Sequence, residues 1–214
     1  MKLNELKCND MIFSRSSTEF TTRLHINDHL LERVSSFKLL GVQISEDLSW
    51  DKNCQDICCK AYSRLSLLTK LKYAGVSIED LLEIYVLFIR SITEYCCLVF
   101  HSSLTQKQSN KLELIQKTCL RVILGDMYVS YSAALEMTGL QTLFDRREDR
   151  CLSFAKKCTK IPLGNRLFPL NQVENGRAVR CREKYLVNFA RTDSYCKSAV
   201  PFCQRLLNQH FIAK

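Results

Sequence analysis

The stretch covering residues 77–100, SIEDLLEIYVLFIRSITEYCCLVF, constrains the fold of this chain most. Ser77 followed by Asp80 is typical of a helix start, because both side chains can accept hydrogen bonds from free amides of the first turn. The apolar residues that follow point in nearly all directions, which predicts a helix wrapped by other helices. Three charged residues interrupt the run and argue against a membrane span: Glu83, Arg90 and Glu94.

Composition favours a folded helical protein with a surplus of positive charge. The 214 residues can hold one full core, or one core with a smaller appendage. A hydrophobic content of 46% with three prolines argues against disorder. The 31 basic and 22 acidic residues give a net charge of +9, which favours a polyanionic partner such as nucleic acid. The alternative is that this charge only keeps the chain soluble.

Twelve cysteines are present, but their pattern does not indicate a disulfide framework. The N-terminus, MKLNELKCND, is polar and carries no secretory signal. The pairs Cys58–Cys59 and Cys96–Cys97 lie inside helical patterns, where a free thiol behaves as a small apolar residue. No Cys-x-x-Cys pair occurs, so the sequence predicts neither a metal site nor a cofactor. We therefore expect an intracellular protein of the nucleus or cytoplasm, not a secreted one.

Residues 1–46 form a β-rich segment. Turn chemistry at Asn27 and Asp28 between two apolar runs predicts a hairpin. Residues 11–13 form a short apolar strand pattern, and residues 37–44 form another with Gly41 at a bend. Such short strands without a helix of their own predict a small antiparallel β piece at the edge of a sheet.

From Ser49 onward the pattern is helical. Thr105 and Gln108 form a capping box, and Gly125 ends the helix that they begin. We therefore expect a mainly α fold with a small N-terminal antiparallel β piece, in which a helical bundle surrounds a central buried helix. Besides that central helix, the predicted helices cover residues 50–73, 105–125, 130–137, 143–157 and 201–211.

Four basic residues share one face of the predicted helix at 105–125, roughly opposite its apolar face: Lys107, Lys111, Lys117 and Arg121. Glu113 is the only acidic residue close to them. A row of positive charges along one helix face is typical of a contact with phosphates. A helix face that is simply solvated would have the same pattern.

Arg147 falls inside the apolar arc of the predicted helix at 143–157, where a buried charge needs a carboxylate partner. Glu94 and Glu136 are the candidates for a structural ion pair. A contact from Arg147 to nucleic acid is the alternative.

A basic stretch follows residues punctuated by proline and glycine: Arg177, Arg180, Arg182 and Lys184. Tyr185 and Phe189 are interleaved with it, and basic residues mixed with aromatic ones suit single-stranded nucleic acid. Tyr185 and Phe189 could equally lie on one face of a strand.

Several pieces of the chain together resemble the reverse transcriptases of LINE-type (non-LTR) retrotransposons. Residues 1–13 resemble the stretch Leu-x-x-Asn-x-x-Lys-Thr-x-x-Met-x-Phe that follows the catalytic Asp-Asp motif of that family. Residues 37–42 resemble its primer-grip strand, and Leu48-Ser49-Trp50 matches the entry to its thumb. Residues 92–100 and 139–147 are similar to two further motifs of the family. The resemblance covers residues 1–160, with the motifs in the family's order.

The resemblance implies a C-terminal fragment of such an enzyme, with a palm-edge β hairpin and primer-grip strand at 1–46, a thumb-like bundle at 47–160 and a basic tail with a terminal helix at 161–214. Lys7 matches a palm lysine near the incoming nucleotide, and Leu40 and Gly41 match the primer grip that supports the primer's 3′ end. The family's catalytic aspartates bind Mg²⁺ and would precede residue 1. No Asp-Asp pair occurs here, so we expect no enzyme and no metal cofactor.

The implied activity is binding of template–primer nucleic acid, an RNA–DNA hybrid, through backbone contacts, with no role for a membrane. Alternatives are a helical protein-interaction module and a retroelement fragment without function. Such a helical segment also resembles the N-terminal part of AlkB-type tRNA-modifying proteins, whose dioxygenase chemistry needs a His-x-Asp pair. Here His25 is followed by Ile26 and Asn27, so that iron triad is missing. The sequence predicts no oligomeric state.

Overall fold

The computed structural model describes residues 4–14, 21–171 and 184–212, apart from the side chain of Leu163. The fold is mainly α with a small β piece near the N-terminus, as predicted. The chain divides into two compact units, residues 1–57 and 58–214, and the boundary falls inside the first long helix.

Three two-stranded sheets occur in the described part of the first unit. Two are antiparallel, and the predicted hairpin at Asn27 and Asp28 is confirmed between β2 and β3. The third pairs β1 with β4 in parallel, which the sequence did not predict. The strands are β1 (Asn9–Asp10), β2 (His25–Ile26), β3 (His29–Leu30), β4 (Glu32–Arg33), β5 (Ser36–Leu39) and β6 (Val42–Ser45).

An ion pair joins the two parallel strands of the first unit. The Arg33 guanidinium donates to Asp10 Oδ2 from Nε at 3.0 Å and from Nη2 at 2.8 Å. Asp10 is buried, so this pair supplies the compensation that a carboxylate removed from water requires. The predicted strand at 11–13 is wrong, since the pairing in this region involves Asn9 and Asp10 instead.

The predicted single strand at 37–44 is a hairpin, because the chain reverses at Leu40 and Gly41. Both residues lie in the left-handed region, with φ values of 47° and 86°. This combination matches the two-residue turn whose twist fits a hairpin. Gly41 therefore marks a reversal rather than a bend, and pairing between β5 and β6 satisfies the backbone groups that a lone strand would leave open.

The second unit contains the helices of the bundle. They are α1 (Asp51–Tyr73), which begins in the first unit, α2 (Ile78–Ile84), α3 (Ser91–Glu94), α4 (Cys97–Phe100), α5 (Gln106–Leu124), α6 (Tyr131–Thr138), α7 (Leu143–Cys158), α8 (Pro162–Leu167), α9 (Asp193–Cys196) and α10 (Ala199–Ile212). A π-helical segment, Tyr85–Arg90, connects α2 to α3.

The central stretch is buried along one stripe only. Leu81, Tyr85 and Ile89 are buried at a spacing of four residues, whereas Leu87 and Phe88 are 58% and 54% exposed. The prediction of a helix wrapped on all sides is therefore wrong. The helix also breaks before α4, where Cys96 adopts a left-handed φ of 51° that no α-helix continues through.

The capping box predicted for α5 is confirmed. The Thr105 hydroxyl accepts a hydrogen bond from the Gln108 amide at 3.2 Å, and the Gln108 side chain accepts one from the Thr105 amide at 2.8 Å. Gly125 ends the helix with a φ of 56°. The apolar face of α5 is buried in the bundle: Leu112, Ile115, Cys119, Leu120 and Ile123.

The terminal helix α10 packs on α7. The shared core is built largely from small thiols and leucines: Cys151, Ala155, Cys158, Phe168, Cys203, Leu206 and Leu207. The Cys203 Sγ lies 3.9 Å from the carbonyl oxygen of Cys151. The cysteines of this core therefore act as small apolar residues, whereas of the two adjacent pairs singled out in the sequence only Cys97 is buried.

A chain of buried polar contacts runs through the side chain of Gln116 on α5. Its Oε1 accepts a hydrogen bond from the Tyr85 hydroxyl at 2.6 Å. Its Nε2 donates to the Tyr131 hydroxyl at 2.8 Å and to the Gln141 carbonyl oxygen at 2.9 Å. Because Gln116 is fully buried, each of these contacts replaces a lost contact with water and fixes neighbouring segments against α5.

We expect Tyr85→Phe to destabilise the fold, since it leaves the buried Oε1 of Gln116 without its donor. The expected loss in the free energy of unfolding is about 1–3 kcal/mol. Urea denaturation followed by circular dichroism measures it. Tyr73→Phe, at a residue that is 88% exposed, is the matched control and should leave the midpoint unchanged. Equal midpoints for the two variants would contradict the role given to Gln116.

Leu40→Asn should stabilise the hairpin of β5 and β6. Leucine pays a steric cost in the left-handed region that asparagine largely avoids, so we expect a gain of about 0.5–1 kcal/mol. Leu40 is 83% exposed, so little buried area is lost by the change. Leu39→Asn, on the neighbouring strand residue, is the control. A lower thermal midpoint for Leu40→Asn than for the natural chain would show that the turn is not strained.

Candidate nucleic-acid interface

The four basic residues predicted on one face of α5 form a strip on the surface of the second unit, here called the α5 strip: Lys107, Lys111, Lys117 and Arg121. Lys107, Lys111 and Arg121 are exposed and Lys117 is half-buried. From Lys107 to Arg121 the helix rises about 21 Å. The structure thus places all four side chains along one side of a single rigid element.

Two tyrosines contact one end of the α5 strip: Tyr128, which precedes α6, and Tyr131, which is its first residue. The Lys117 Nζ lies 4.9 Å from the centroid of the Tyr131 ring, and the Arg121 Cζ lies 5.2 Å from that of Tyr128. Both distances are in the range of cation–π contacts. These contacts restrict the rotamers of Lys117 and Arg121, so less conformational entropy would be lost when the strip binds an anion.

Glu113, the only acidic residue of α5, is half-buried and lies next to the start of α7. Its carboxylate accepts hydrogen bonds from the Tyr131 hydroxyl and from the amides of Leu143 and Phe144, at 3.1 and 3.2 Å. These amides are the first two of α7, so Glu113 occupies the positive end of that helix. The carboxylate that the sequence placed near the strip is therefore engaged by Tyr131 and by the first amides of α7.

Residues of α1 lie close to α5 at its C-terminal end. The Lys72 Cε is 4.0 Å from the position that a Cβ at Gly125 would take, so a further positive side chain lies at the end of the helix that carries the strip. Further along α1, burial raises the pKa of the Cys58 thiol while the charge of Lys111 acts in the opposite direction.

Of the four basic residues predicted between 177 and 184, the structure describes only the last. Lys184 is exposed, and its Nζ lies 5.7 Å from the ring centroid of Tyr185 and 5.2 Å from that of Phe211. The remaining three, Arg177, Arg180 and Arg182, lie outside the described residues.

The residues matched to the palm lie in the first unit. Lys7 is exposed in a single 3₁₀ turn, Glu5–Lys7. Leu40 and Gly41 are exposed at the tip of the hairpin described above. Their assignment to a nucleotide contact and a primer grip stays a prediction.

Glu94 forms an ion pair as predicted, but its partners are arginines other than Arg147. The carboxylate meets Arg146, Arg150 at 2.6 Å and Arg90 at 3.5 Å. Arg146 and Arg150 are four residues apart and share one side of α7, whereas Arg147 is rotated by about 100° from Arg146. That spacing of four was the sequence signal that could have identified them.

Arg147 instead lies fully buried and contacts His101 and Ser109. It donates hydrogen bonds to His101 Nδ1 at 3.4 Å and to the Ser109 hydroxyl at 3.3 Å. The other proposed carboxylate partner, Glu136, is exposed on α6. The structural role expected for Arg147 therefore involves hydrogen bonds to a histidine and a serine that the sequence did not single out.

His101 is kept neutral by its surroundings. Burial, reinforced by the positive charge of Arg147, lowers the pKa of the imidazole to about 4. A neutral ring is what Arg147 requires, because Nδ1 must accept its hydrogen bond. The rings of Phe144 and Phe202 lie 5.0 and 5.6 Å from that of His101 and close the site to water.

Comparisons of the chain with protein-family models, with curated proteins and with solved structures find no match. Within the described ranges, no three His, Cys, Asp or Glu side chains are grouped as metal ligands. The helices in those ranges include none with both the length and the apolar character of a membrane span. The geometry of the α5 strip is therefore the feature that indicates an interface.

We expect the stability of the protein to fall as the pH decreases from about 6.5 to about 4. In this window the unfolded chain protonates His101 while the folded chain does not, so acid favours unfolding. The contribution amounts to at most about 3 kcal/mol. Urea denaturation at a series of pH values measures the slope. His101→Asn should make the slope shallower, and the control His210→Asn should not; equal slopes for both would contradict the assignment.

Proposed function

We propose that this chain is a non-catalytic remnant of a retroelement reverse transcriptase that binds an RNA–DNA hybrid through the phosphate backbone. The observation that carries the proposal is the α5 strip, in which four positive charges face outward while Glu113 is engaged by the first amides of α7. Contacts of this kind carry no base specificity, as a protein that holds any template requires. Such a partner places the protein in the nucleus or cytoplasm.

The resemblance to the reverse-transcriptase thumb supports the same assignment. In that family the thumb grips the template–primer duplex, and the resemblance assigns residues 47–160 to it. The α5 strip lies within this range. The proposal concerns binding alone and includes no polymerisation step.

The test is a titration of a fluorescein-labelled RNA–DNA hybrid with the full chain, followed by anisotropy at several salt concentrations. If four phosphates are neutralised, the logarithm of the association constant should fall against the logarithm of salt with a slope of about −4. Replacing all four strip residues by Ala should weaken binding roughly tenfold or more at low salt and should remove most of this slope.

The matched control removes the same charge elsewhere in the second unit, with Lys160, Arg166, Arg191 and Lys197 replaced by Ala; all four are exposed and lie outside α5. Circular dichroism verifies that both variants keep their helix content. Equal losses of affinity in the two variants would mean that net charge, and not the strip, attracts the hybrid. Undetectable binding by the natural chain would contradict the proposal.

A second candidate function is a helical protein-interaction module. The observation that favours it is the exposure of Leu87 and Phe88 on the central stretch, since large apolar side chains next to each other at a surface are typical of a partner contact. Failure of the hybrid titration would leave this candidate as the better explanation of the fold.

A further inference from the structure

A pocket of about 260 Å³ lies in the second unit, where the helix breaks between α3 and α4. The turn at Cys96 forms one wall of the pocket, and one side of α7 forms the other. Arg150, Ser153, Phe154 and Lys157 are lining residues spaced by three, four and seven positions along α7. This spacing places them on the same helix face, directed at one cavity.

The pocket contains more positive than negative charge. Glu94 is the only carboxylate among the described residues that line it, and three guanidinium groups share that carboxylate: Arg90, Arg146 and Arg150. Burial lowers the pKa of Arg90, and the positive charge of Arg146 lowers it further, as expected where arginines lie close together. Lys157 adds a further exposed ammonium at the opening. One carboxylate cannot balance these cations, so the site favours an anion.

Arg150 is the arginine available to such an anion. Its side chain is 51% exposed although one nitrogen, Nη2, contacts Glu94 at 2.6 Å. The contact with Glu94 fixes the plane of the guanidinium, and a planar fork held in this way is suited to phosphate oxygens. Lys157, two turns further along α7, can contact the same group as a point charge.

The remainder of the pocket is apolar and aromatic. Phe154 is 43% exposed between Arg150 and Lys157 in sequence, and Leu98 lines the facing wall. An aromatic face beside a phosphate site suits a nucleobase, because every base has a face that can stack. We propose that this pocket binds the phosphate of a nucleotide through Arg150 and Lys157, with the base against Phe154. The nucleotide is either free or the 5′ end of a strand.

This inference is independent of the α5 strip, and the experiment keeps the two apart. Isothermal titration calorimetry is carried out on the full chain and on the variant with the four strip residues replaced by Ala. The probes are adenosine monophosphate, adenosine, inorganic phosphate, and a dinucleotide with and without a 5′ phosphate. We expect adenosine monophosphate to bind both proteins equally, with a Kd below about 1 mM, and adenosine to bind neither.

Three substitutions and one control locate the site. Lys157→Ala removes an exposed side chain and should weaken the binding of adenosine monophosphate roughly tenfold, as loss of one charge-assisted contact does. Phe154→Leu should weaken adenosine monophosphate while leaving inorganic phosphate unchanged. The control is Lys160→Ala, three residues beyond Lys157 and outside the lining. Arg150→Lys tests the guanidinium fork while keeping a charge next to Glu94.

Unchanged affinity in Lys157→Ala would overturn the site, and so would equal affinities of inorganic phosphate and adenosine monophosphate, which would leave no role for Phe154. Loss of binding in the strip variant would show that the phosphate contacts α5 instead. Binding of the 5′-phosphorylated dinucleotide without binding of the free nucleotide would identify a strand end as the ligand. Binding of both would identify a free nucleotide as sufficient.

Discussion

The buried side chain of Gln116 is the contact on which the arrangement of the second unit depends. Its single amide connects the hydroxyls of Tyr85 and Tyr131 with the backbone after α6. Through Tyr131 the same chain reaches Glu113 and the first turn of α7. Polar networks of this kind tolerate few alternative packings, because any shift leaves a buried group unsatisfied. The orientation of α5, and with it the direction of its basic face, follows from this network.

The buried charged side chains of the second unit find their partners in two different ways. Arg147 donates to two neutral acceptors, Ser109 and His101, and burial keeps the His101 ring neutral. Glu94 instead collects several arginines around one carboxylate. The first arrangement is closed to solvent and stabilises the core, whereas the second is open on one side. The difference explains why only the second arrangement offers a place for a ligand.

Local signals in the sequence were sufficient for much of the fold. The capping box at Thr105 and the left-handed glycine at Gly125 determine both ends of α5, because they act within one helical turn. The basic face of α5 follows from the helical period alone. The hairpin at Leu40 could not be predicted in this way, since a leucine rarely occupies a left-handed turn. The partners of Glu94 on α7 had a signal in the spacing of Arg146 and Arg150, but the choice between them and Arg147 depends on how α7 is rotated against α3.

The π-helical segment Tyr85–Arg90 affects the direction in which the residues after it face. A π turn accommodates one residue more than an α turn does, so it resembles an insertion absorbed within a helix. Arg64 donates to the carbonyl oxygen of Phe88 at 2.6 Å and gives this widened turn an outside partner. Deleting a single residue here would restore a regular helix and would leave Glu94 facing nearly the same direction, because the wider turn had absorbed that residue. The bulge thus accommodates one extra residue while it keeps the rotational register between the two halves of the central stretch.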